Sequence, residues 1–185
     1  GLGTVWYGRK WPMENPSYVY PETDEITRHL DAAFQTMGNE NGTVMIDTAA
    51  AYGTSEERLG EYFASRPDLF AKAFIATKWG VEFDIASGVF KLDHSRKNYE
   101  ASVERSLARL GKIDLLYIHG ATLEVLRDRS LVGAMMSSDI PHSGASISKE
   151  DVLQGALTEG LLRGFDVVQM PAWLFMQRQD LAEKL

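Results

Sequence analysis

Residues 46–60 read IDTAAAYGTSEERLG and form the most informative segment of the chain. The apolar run Val44–Ile46 at its start predicts a buried strand, and the residues after Gly53 predict a helix. Asp47 and Tyr52 therefore lie between the end of a strand and the start of a helix. In parallel α/β folds, ligands bind and reactions occur at the carboxyl ends of the strands. A carboxylate and a phenol at this position are candidate functional groups.

Composition narrows the class of protein. The chain has 185 residues, of which 44% are hydrophobic, and this suits one domain over residues 1–185. A net charge of −7 and a pI near 5.1 argue against a nucleic-acid or anionic-membrane partner. The chain contains no cysteine, so it has no disulfide and no thiol nucleophile. No apolar run approaches the roughly 20 residues that span a bilayer. We therefore expect a soluble, cytoplasmic protein without a membrane or nucleic-acid partner.

Apolar residues at helical spacing predict four helices. These are expected at Glu22–Met37, Ser55–Ser65, Ser95–Leu110 and Ser148–Leu162. Gly38 and Gly111 directly follow two of them and are typical helix stop residues. Thr54 and Glu57 have the spacing of a capping box for the helix that starts near Ser55.

Six short apolar runs alternate with these helices and predict strands. They are Leu2–Tyr7, Val44–Ile46, Phe74–Thr77, Leu115–Ile118, Val132–Met136 and Val167–Met170. Strands that alternate with helices form right-handed βα units and a parallel sheet. The fold class is therefore α/β, with about six βα units in the chain.

The parallel sheet could be open or closed into a barrel. An open nucleotide-binding sheet usually carries a glycine-rich phosphate turn after its first strand, and this chain has none there. Instead, polar side chains follow four predicted strands. They are Asp47, Tyr52, Lys78, His119 and Gln169. A barrel gathers the ends of several strands around one site, so this pattern favours a barrel, while an open-sheet nucleotide-binding module remains the alternative.

Four segments of the chain resemble the aldo-keto reductase family. They are Ile46–Gly60, Ile75–Lys78, Ser106–His119 and Asp166–Gln169, in the family's order and at strand ends. The resemblance implies a (β/α)8 TIM-type barrel that binds NADPH in an extended form without a Rossmann motif. It also implies an oxidoreductase that reduces a small-molecule aldehyde or ketone to an alcohol.

Residue chemistry gives each candidate catalytic group a role. Reduction of a carbonyl builds negative charge on oxygen, so a donor must stabilise that oxygen and deliver a proton. Tyr52 is the candidate proton donor, because a nearby Lys78 ammonium would favour its phenolate. Asp47 would hold Lys78 in place and keep it charged, and His119 would hydrogen-bond the carbonyl oxygen. No metal site is expected, because the remaining histidines lack metal-ligand spacing.

The resemblance also implies the cofactor contacts. Gln169 would contact the nicotinamide carboxamide, as would Ser137 and Ser138 after the fifth predicted strand. The family commonly has a Gly-X-Ser-Asn run there, where this chain reads Met135-Met136-Ser137-Ser138. Serine would then replace the amide of asparagine.

Structural interpretations of the same residues stay open. Asp47 and Lys78 could form an ion pair that only stabilises the rim of a barrel. His119 could be an ordinary half-buried histidine, and Gln169 could satisfy backbone groups near the rim. The loop from Gly8 to Pro21 is the candidate wall of a substrate cleft.

Two features of the sequence suggest a partial barrel. The chain stops at Leu185, before any seventh or eighth strand, and the crossover between His119 and Val132 is short for a parallel connection. We expect segments of a longer reductase to be missing near residues 120–131 and after residue 185. The alternatives are a truncated product with an unclosed sheet edge, or a reductase-like regulatory or interaction protein with weak or no turnover.

Overall fold

A six-stranded parallel sheet organises the structure, a computed structural model that describes residues 1–10, 17–36, 42–84 and 86–185. Its strands are β1 (Leu2–Gly3), β2 (Val44–Asp47), β3 (Ala73–Trp79), β6 (Leu115–Ile118), β7 (His142–Ser146) and β8 (Val167–Gln169). They lie in the order β1-β2-β3-β6-β7-β8, and each pairs in parallel with its neighbours. Between β3 and β6 the chain forms an antiparallel hairpin of β4 (Val81–Asp84) and β5 (Val89–Leu92).

Helices connect the parallel strands. The longer ones are α2 (Thr23–Thr36), α3 (Ser55–Ala64), α5 (Arg96–Leu110), α7 (Arg129–Met136) and α8 (Glu150–Thr158). The shorter ones are α1 (Val5–Gly8), α4 (Pro67–Phe70), α6 (Leu123–Arg127), α9 (Ala172–Gln177) and α10 (Gln179–Ala182). Across the described residues, no helix has the length and apolar character needed to cross a membrane.

The ends of α5 follow from its sequence. The Ser95 hydroxyl accepts a hydrogen bond from the Asn98 backbone N–H, which satisfies a free donor of the first turn. Gly111 ends the helix with φ of 78°, a left-handed conformation that suits glycine. Helix α2 is also present, but Met37 and Gly38, predicted as its end, lie outside the described residues.

The predicted capping box of α3 is wrong. Thr54 occupies the N-cap position but makes no side-chain capping bond, because its φ and ψ of −87° and 9° are not the extended conformation of a usual cap. Ser55 instead turns inward, and its hydroxyl donates to the backbone oxygen of Thr4 at 3.0 Å. This bond ties the start of α3 to the end of β1.

The predicted fifth strand, Val132–Met136, is also wrong, because these residues belong to α7. Leu131, Val132 and Met135 are buried at helical spacing. The true strand β7 reads HSGAS and lacks the apolar run that usually marks a buried strand. The crossover from β6 to β7 therefore contains both α6 and α7, so it is not short, and this removes the reason for expecting a missing segment near residues 120–131.

The first strand is shorter than predicted. It covers Leu2–Gly3 rather than Leu2–Tyr7, because Val5–Gly8 forms the single-turn helix α1 with the Tyr7 ring buried. Strand β1 lies at the edge of the sheet and pairs with β2 alone. An open nucleotide-binding fold would place it in the centre, so this position argues against that alternative.

The sheet is strongly curved. In a flat sheet, β2 and β8 would lie roughly 19 Å apart, since neighbouring strands are about 4.8 Å apart and four steps separate them. Yet the Gln169 Nε2 atom donates to the Asp47 Oδ2 atom at 2.7 Å. The strands therefore form the arc of a barrel, and their inward side chains meet on its concave face.

A buried carboxylate joins α3 to its neighbours. Glu56 is fully buried, and it accepts hydrogen bonds from the Thr77 hydroxyl at 2.7 Å and the Ser106 hydroxyl at 2.8 Å. Arg109 forms an ion pair with it at 3.3 Å and a second pair with the more exposed Glu57 at 3.1 Å. Glu56 thus links β3, α3 and α5 through hydrogen bonds and an ion pair.

We predict that Glu56→Ala lowers the free energy of unfolding by roughly 2–4 kcal/mol, since it leaves two buried hydroxyls without their acceptor and removes one of the two carboxylates that pair with Arg109. Glu57→Ala is the matched control, because it removes an adjacent carboxylate from the same arginine. Its side chain is 43% exposed, so the expected loss is below about 1 kcal/mol. Urea unfolding followed by circular dichroism measures both values. Equal losses of unfolding free energy in the two variants would contradict the prediction that Glu56 stabilises the fold more than Glu57 does.

Candidate active site

The ends of three neighbouring strands bring the predicted catalytic residues together. Asp47 ends β2, Lys78 is the next-to-last residue of β3, and His119 directly follows β6. Residues that are paired in register on neighbouring strands face the same side of the sheet. Lys78 is paired with Tyr117, and both side chains face the concave side. Tyr52 reaches the same point from the turn between β2 and α3.

Lys78 lies at the centre of this group. Its side chain is 2% exposed, and its Nζ atom donates to Asp47 Oδ1 at 2.6 Å and to the Thr48 backbone oxygen at 2.9 Å. The third contact is the Tyr52 hydroxyl at 3.4 Å. An ammonium has three N–H donors, and each one has an acceptor here. A buried charge needs such partners to offset the loss of water.

Backbone contacts fix the turn that carries Tyr52. The Tyr52 N–H donates to the Ala49 backbone oxygen at 2.9 Å, and the Tyr52 oxygen accepts from Ser55 at 3.1 Å. Gly53 has φ of 61°, and a Cβ atom there would lie 2.0 Å from the Gly8 backbone oxygen. The turn is therefore packed directly against the end of α1, which fixes the direction of the phenol.

Only one of the two phenols near Lys78 suits proton transfer. The Lys78 Nζ atom lies 5.0 Å from the ring centre of Tyr52 and 5.8 Å from that of Tyr117. Tyr117 is almost fully buried, and burial, together with the Asp47 carboxylate, raises its pKa to about 12. Tyr117 therefore stays protonated and forms an apolar floor, whereas Tyr52 is part-exposed and hydrogen-bonded to the ammonium.

His119 is a neutral side chain beside Tyr52. Burial, and then the charges of Lys78, Arg9 and His94, lower its pKa to about 3. Its ring meets the Tyr52 ring edge to face, with 6.0 Å between the centres. The Nδ1 atom is buried and has no hydrogen-bond partner among the residues that the structure describes. Since a buried N–H without an acceptor is rarer than a buried lone pair without a donor, we assign the proton to Nε2.

Gln169 also belongs to the group, but Ser137 and Ser138 do not. Gln169 ends β8 and donates to Asp47 Oδ2, the carboxylate oxygen to which Lys78 does not donate. Ser137 and Ser138 follow α7 and precede β7, so they lie at the opposite, amino end of the sheet. Ser137 is exposed, and the Ser138 hydroxyl donates to the Met135 oxygen of its own helix at 2.8 Å. Their assignment as cofactor contacts is corrected, because it depended on the wrong strand.

Ser146 is the residue that the sequence analysis missed. It ends β7 and is paired in register with Gln169, so both side chains face the concave side. The signal was present: Gly144-Ala145-Ser146 matches the first three positions of the Gly-X-Ser-Asn run, and Ile147 replaces the asparagine. Gly144 is required sterically, because a Cβ atom there would lie 2.5 Å from the Tyr117 ring.

The donor set of Ser146 and Gln169 fits the carboxamide of a nicotinamide. A serine hydroxyl can donate and accept, and a glutamine side chain matches an amide with its own amide. Among the described residues, no cluster of three or more histidine or acidic side chains is arranged to hold a metal ion.

Comparisons with known proteins agree with this geometry. Two solved structures from Pseudomonas aeruginosa, each assigned as an aldo-keto reductase, match with a TM-score of 0.69, at 31% and 30% identity. The alignments cover 92% of this chain and 61% and 60% of those chains. An aldo-keto reductase from Bacillus halodurans in its holo form matches in fold with a TM-score of 0.64 at 21% identity. That alignment covers 98% of this chain and 58% of the other.

The chain thus spans about three-fifths of the length of these structures. No curated protein sequence matches it significantly. The sequence model of the aldo/keto reductase family matches residues 1–126, which include Asp47, Tyr52, Lys78 and His119. The chain therefore belongs to the aldo/keto reductase family, and its six parallel strands with their helices form part of a (β/α)8 barrel.

Proposed function

We propose that the protein is an NADPH-dependent oxidoreductase that reduces an aldehyde or ketone to an alcohol, with Tyr52 as the proton donor. The observation that carries this proposal is the buried Lys78 ammonium, which contacts both the Asp47 carboxylate and the Tyr52 hydroxyl. A purely structural ion pair would need only the carboxylate. The additional contact with a part-exposed phenol gives the ammonium a role in proton transfer.

Each side chain has one task in this reaction. Bound NADPH supplies the hydride that reduces the carbonyl carbon. Tyr52 gives its hydroxyl proton to the carbonyl oxygen, which completes the alcohol. Lys78 stabilises the phenolate that Tyr52 becomes, because an ammonium next to a phenol favours the charged form. Asp47 holds the Lys78 ammonium in position through the 2.6 Å contact.

His119 acts as a second donor to the substrate. Its ring is neutral and Nε2 carries the proton. His119 therefore donates a hydrogen bond to the carbonyl oxygen and remains neutral. The edge-to-face contact with Tyr52 brings the two donors towards one point. Two donors aimed at one oxygen stabilise the negative charge that develops there and orient the carbonyl for reduction.

Gln169 and Ser146 would hold the nicotinamide carboxamide. They lie side by side at the ends of β8 and β7, close to Asp47. NADPH, rather than NADH, is the cofactor that the resemblance to the family implies. The same resemblance implies a small carbonyl compound as the substrate.

We expect Tyr52→Phe to lower kcat for reduction of an aromatic aldehyde at least about 100-fold, since general-acid catalysis contributes about 10²–10⁴. NADPH binding, measured by quenching of its fluorescence, should change by less than about threefold, because the phenol acts on the substrate. Tyr99→Phe is the control, since Tyr99 packs on Trp79 away from the concave face. Wild-type turnover by Tyr52→Phe would refute the acid role. NADPH binding without turnover by the unsubstituted protein would support a regulatory function instead.

We also predict that the free energy of unfolding falls as the pH decreases below about 6.5. There, the unfolded chain protonates His119, whereas the folded chain keeps it neutral until about pH 3. The slope from this group is at most about 1.4 kcal/mol per pH unit. His119→Gln should flatten the decline between pH 7 and pH 5 in urea unfolding, whereas His142→Gln, at an exposed histidine, should not. Parallel pH curves for the wild type and His119→Gln would contradict the assignment.

A further inference from the structure

Arg9 is a buried cation beside the turn that carries Tyr52. It directly follows α1 and is 4% exposed. Its Nε atom donates to the backbone oxygen of Ala51 at 2.8 Å, one residue before Tyr52. The neighbouring backbone leaves no space, since a Cβ atom at Gly8 would lie 1.8 Å from the Tyr52 oxygen. Arg9 is therefore fixed against this turn by its backbone and by its side chain.

The other side of Arg9 contacts the hairpin β4–β5. Its guanidinium carbon lies 5.5 Å from the ring centre of Tyr52, 5.4 Å from that of Phe83 and 4.8 Å from that of Phe90. Phe83 and Phe90 are directly paired across the hairpin, and their ring centres are 4.8 Å apart. A flat cation among three aromatic rings is a favourable arrangement, because the ring faces carry partial negative charge.

The hairpin depends on such contacts for its position. A two-stranded hairpin is at best marginally stable in water, and all four residues of β5 are exposed. Its base is fixed at the end of β3, where the Asp93 N–H donates to the Gly80 oxygen at 2.9 Å. Beyond this base, Arg105 of α5 forms an ion pair with Glu82 of β4, and the Arg9 contacts place the aromatic rings of the hairpin next to the Tyr52 turn.

The base of the hairpin also contacts the segment that carries His119. The His94 Nε2 atom donates to the His119 backbone oxygen at 2.9 Å. Gly80 makes this approach possible: it has φ of 99°, and a Cβ atom there would lie 2.3 Å from the His94 ring. The hairpin is thus attached beside both proposed donors, through His94 next to His119 and through Arg9 next to Tyr52.

We propose that Arg9 is a positioning residue of the active site, which clamps the hairpin β4–β5 against the Tyr52 turn so that Phe83 and Phe90 form a wall of the substrate cleft. This inference rests on the proposed function, and it adds a second cation to the site. Lys78 stabilises the reacting phenol through hydrogen bonds. Arg9 holds the turn and the wall in a fixed relation to each other.

The test compares Arg9→Met, which has a long side chain without charge, with Arg9→Lys, which keeps the charge over the rings. The first measurement is limited proteolysis with chymotrypsin at Phe83 and Phe90. We expect Arg9→Met to increase the initial cleavage rate about tenfold, because the hairpin loses its cation contact. Arg9→Lys should restore most of the protection, and Arg163→Met, at an exposed arginine, should have no effect.

The second measurement is steady-state reduction of an aromatic aldehyde. For Arg9→Met we expect kcat to fall about tenfold and the KM for the aldehyde to rise several-fold, since a small displacement of the donor and the wall costs rate and substrate binding. The dissociation constant of NADPH should stay within about twofold. Arg9→Lys should recover most of kcat, a rescue that a general loss of stability would not show.

Two results would overturn the inference: unchanged cleavage and kinetics in Arg9→Met, or equal defects in Arg9→Met and Arg9→Lys. If Arg9→Met fails to fold, the double variant Phe83→Leu with Phe90→Leu tests the same contact from the hairpin side, with trypsin cleavage after the exposed Lys91 of β5 as the measurement. Unchanged cleavage after Lys91 relative to the wild type would also overturn the inference. Absence of aldehyde reduction by the unsubstituted protein would contradict the proposed function alone, because the proteolysis still decides whether Arg9 clamps the hairpin.

Discussion

The buried ammonium of Lys78 is the constraint on which the rest of the site depends. A charge with 2% exposure is stable only if protein groups replace its water, and here Asp47, Thr48 and Tyr52 supply the three acceptors. All three belong to β2 and the turn that follows it. The parallel register of β2 and β3, in which Asp47 is paired with Ala76, brings the Lys78 side chain to the end of β2. Sheet geometry and the electrostatics of the site are therefore consequences of the same pairing.

The Asp47 carboxylate extends this constraint across the barrel. One oxygen accepts from Lys78 on the adjacent strand, and the other accepts from Gln169 on β8, four strands away. Such a contact is possible only in a strongly curved sheet. Below this polar layer lies a small apolar cluster of Ala76, Leu115 and Tyr117, which fills the concave side of the arc. The contacts of the Asp47 carboxylate at the strand ends thus fix the curvature of the sheet more firmly than the apolar layer alone would.

Much of this arrangement could be predicted from the sequence, because apolar runs marked β2, β3, β6 and β8 and a polar residue followed each of them. The prediction failed at β7, whose sequence HSGAS is too small and polar to show a buried strand, while the apolar spacing of α7 allowed two interpretations. That single error moved the proposed cofactor contact from Ser146 to Ser137 and Ser138. The importance of Arg9 had no local signal at all. Its partners Phe83 and Phe90 are more than seventy positions away along the chain, so only the folded structure brings them together.

The surroundings of the two buried cations explain why one is a lysine, Lys78, and the other an arginine, Arg9. Lys78 sits among three separate acceptors, which a compact ammonium with three rotatable donors can satisfy. Arg9 lies near three aromatic rings and donates to the backbone oxygens of Ala51 and Lys10, which suits a flat guanidinium that is easier to remove from water. Both contact Tyr52, one at the hydroxyl and the other near the ring face. The position of the phenol is therefore determined from two directions, by a hydrogen bond from Lys78 and by the packing of Arg9 against its ring.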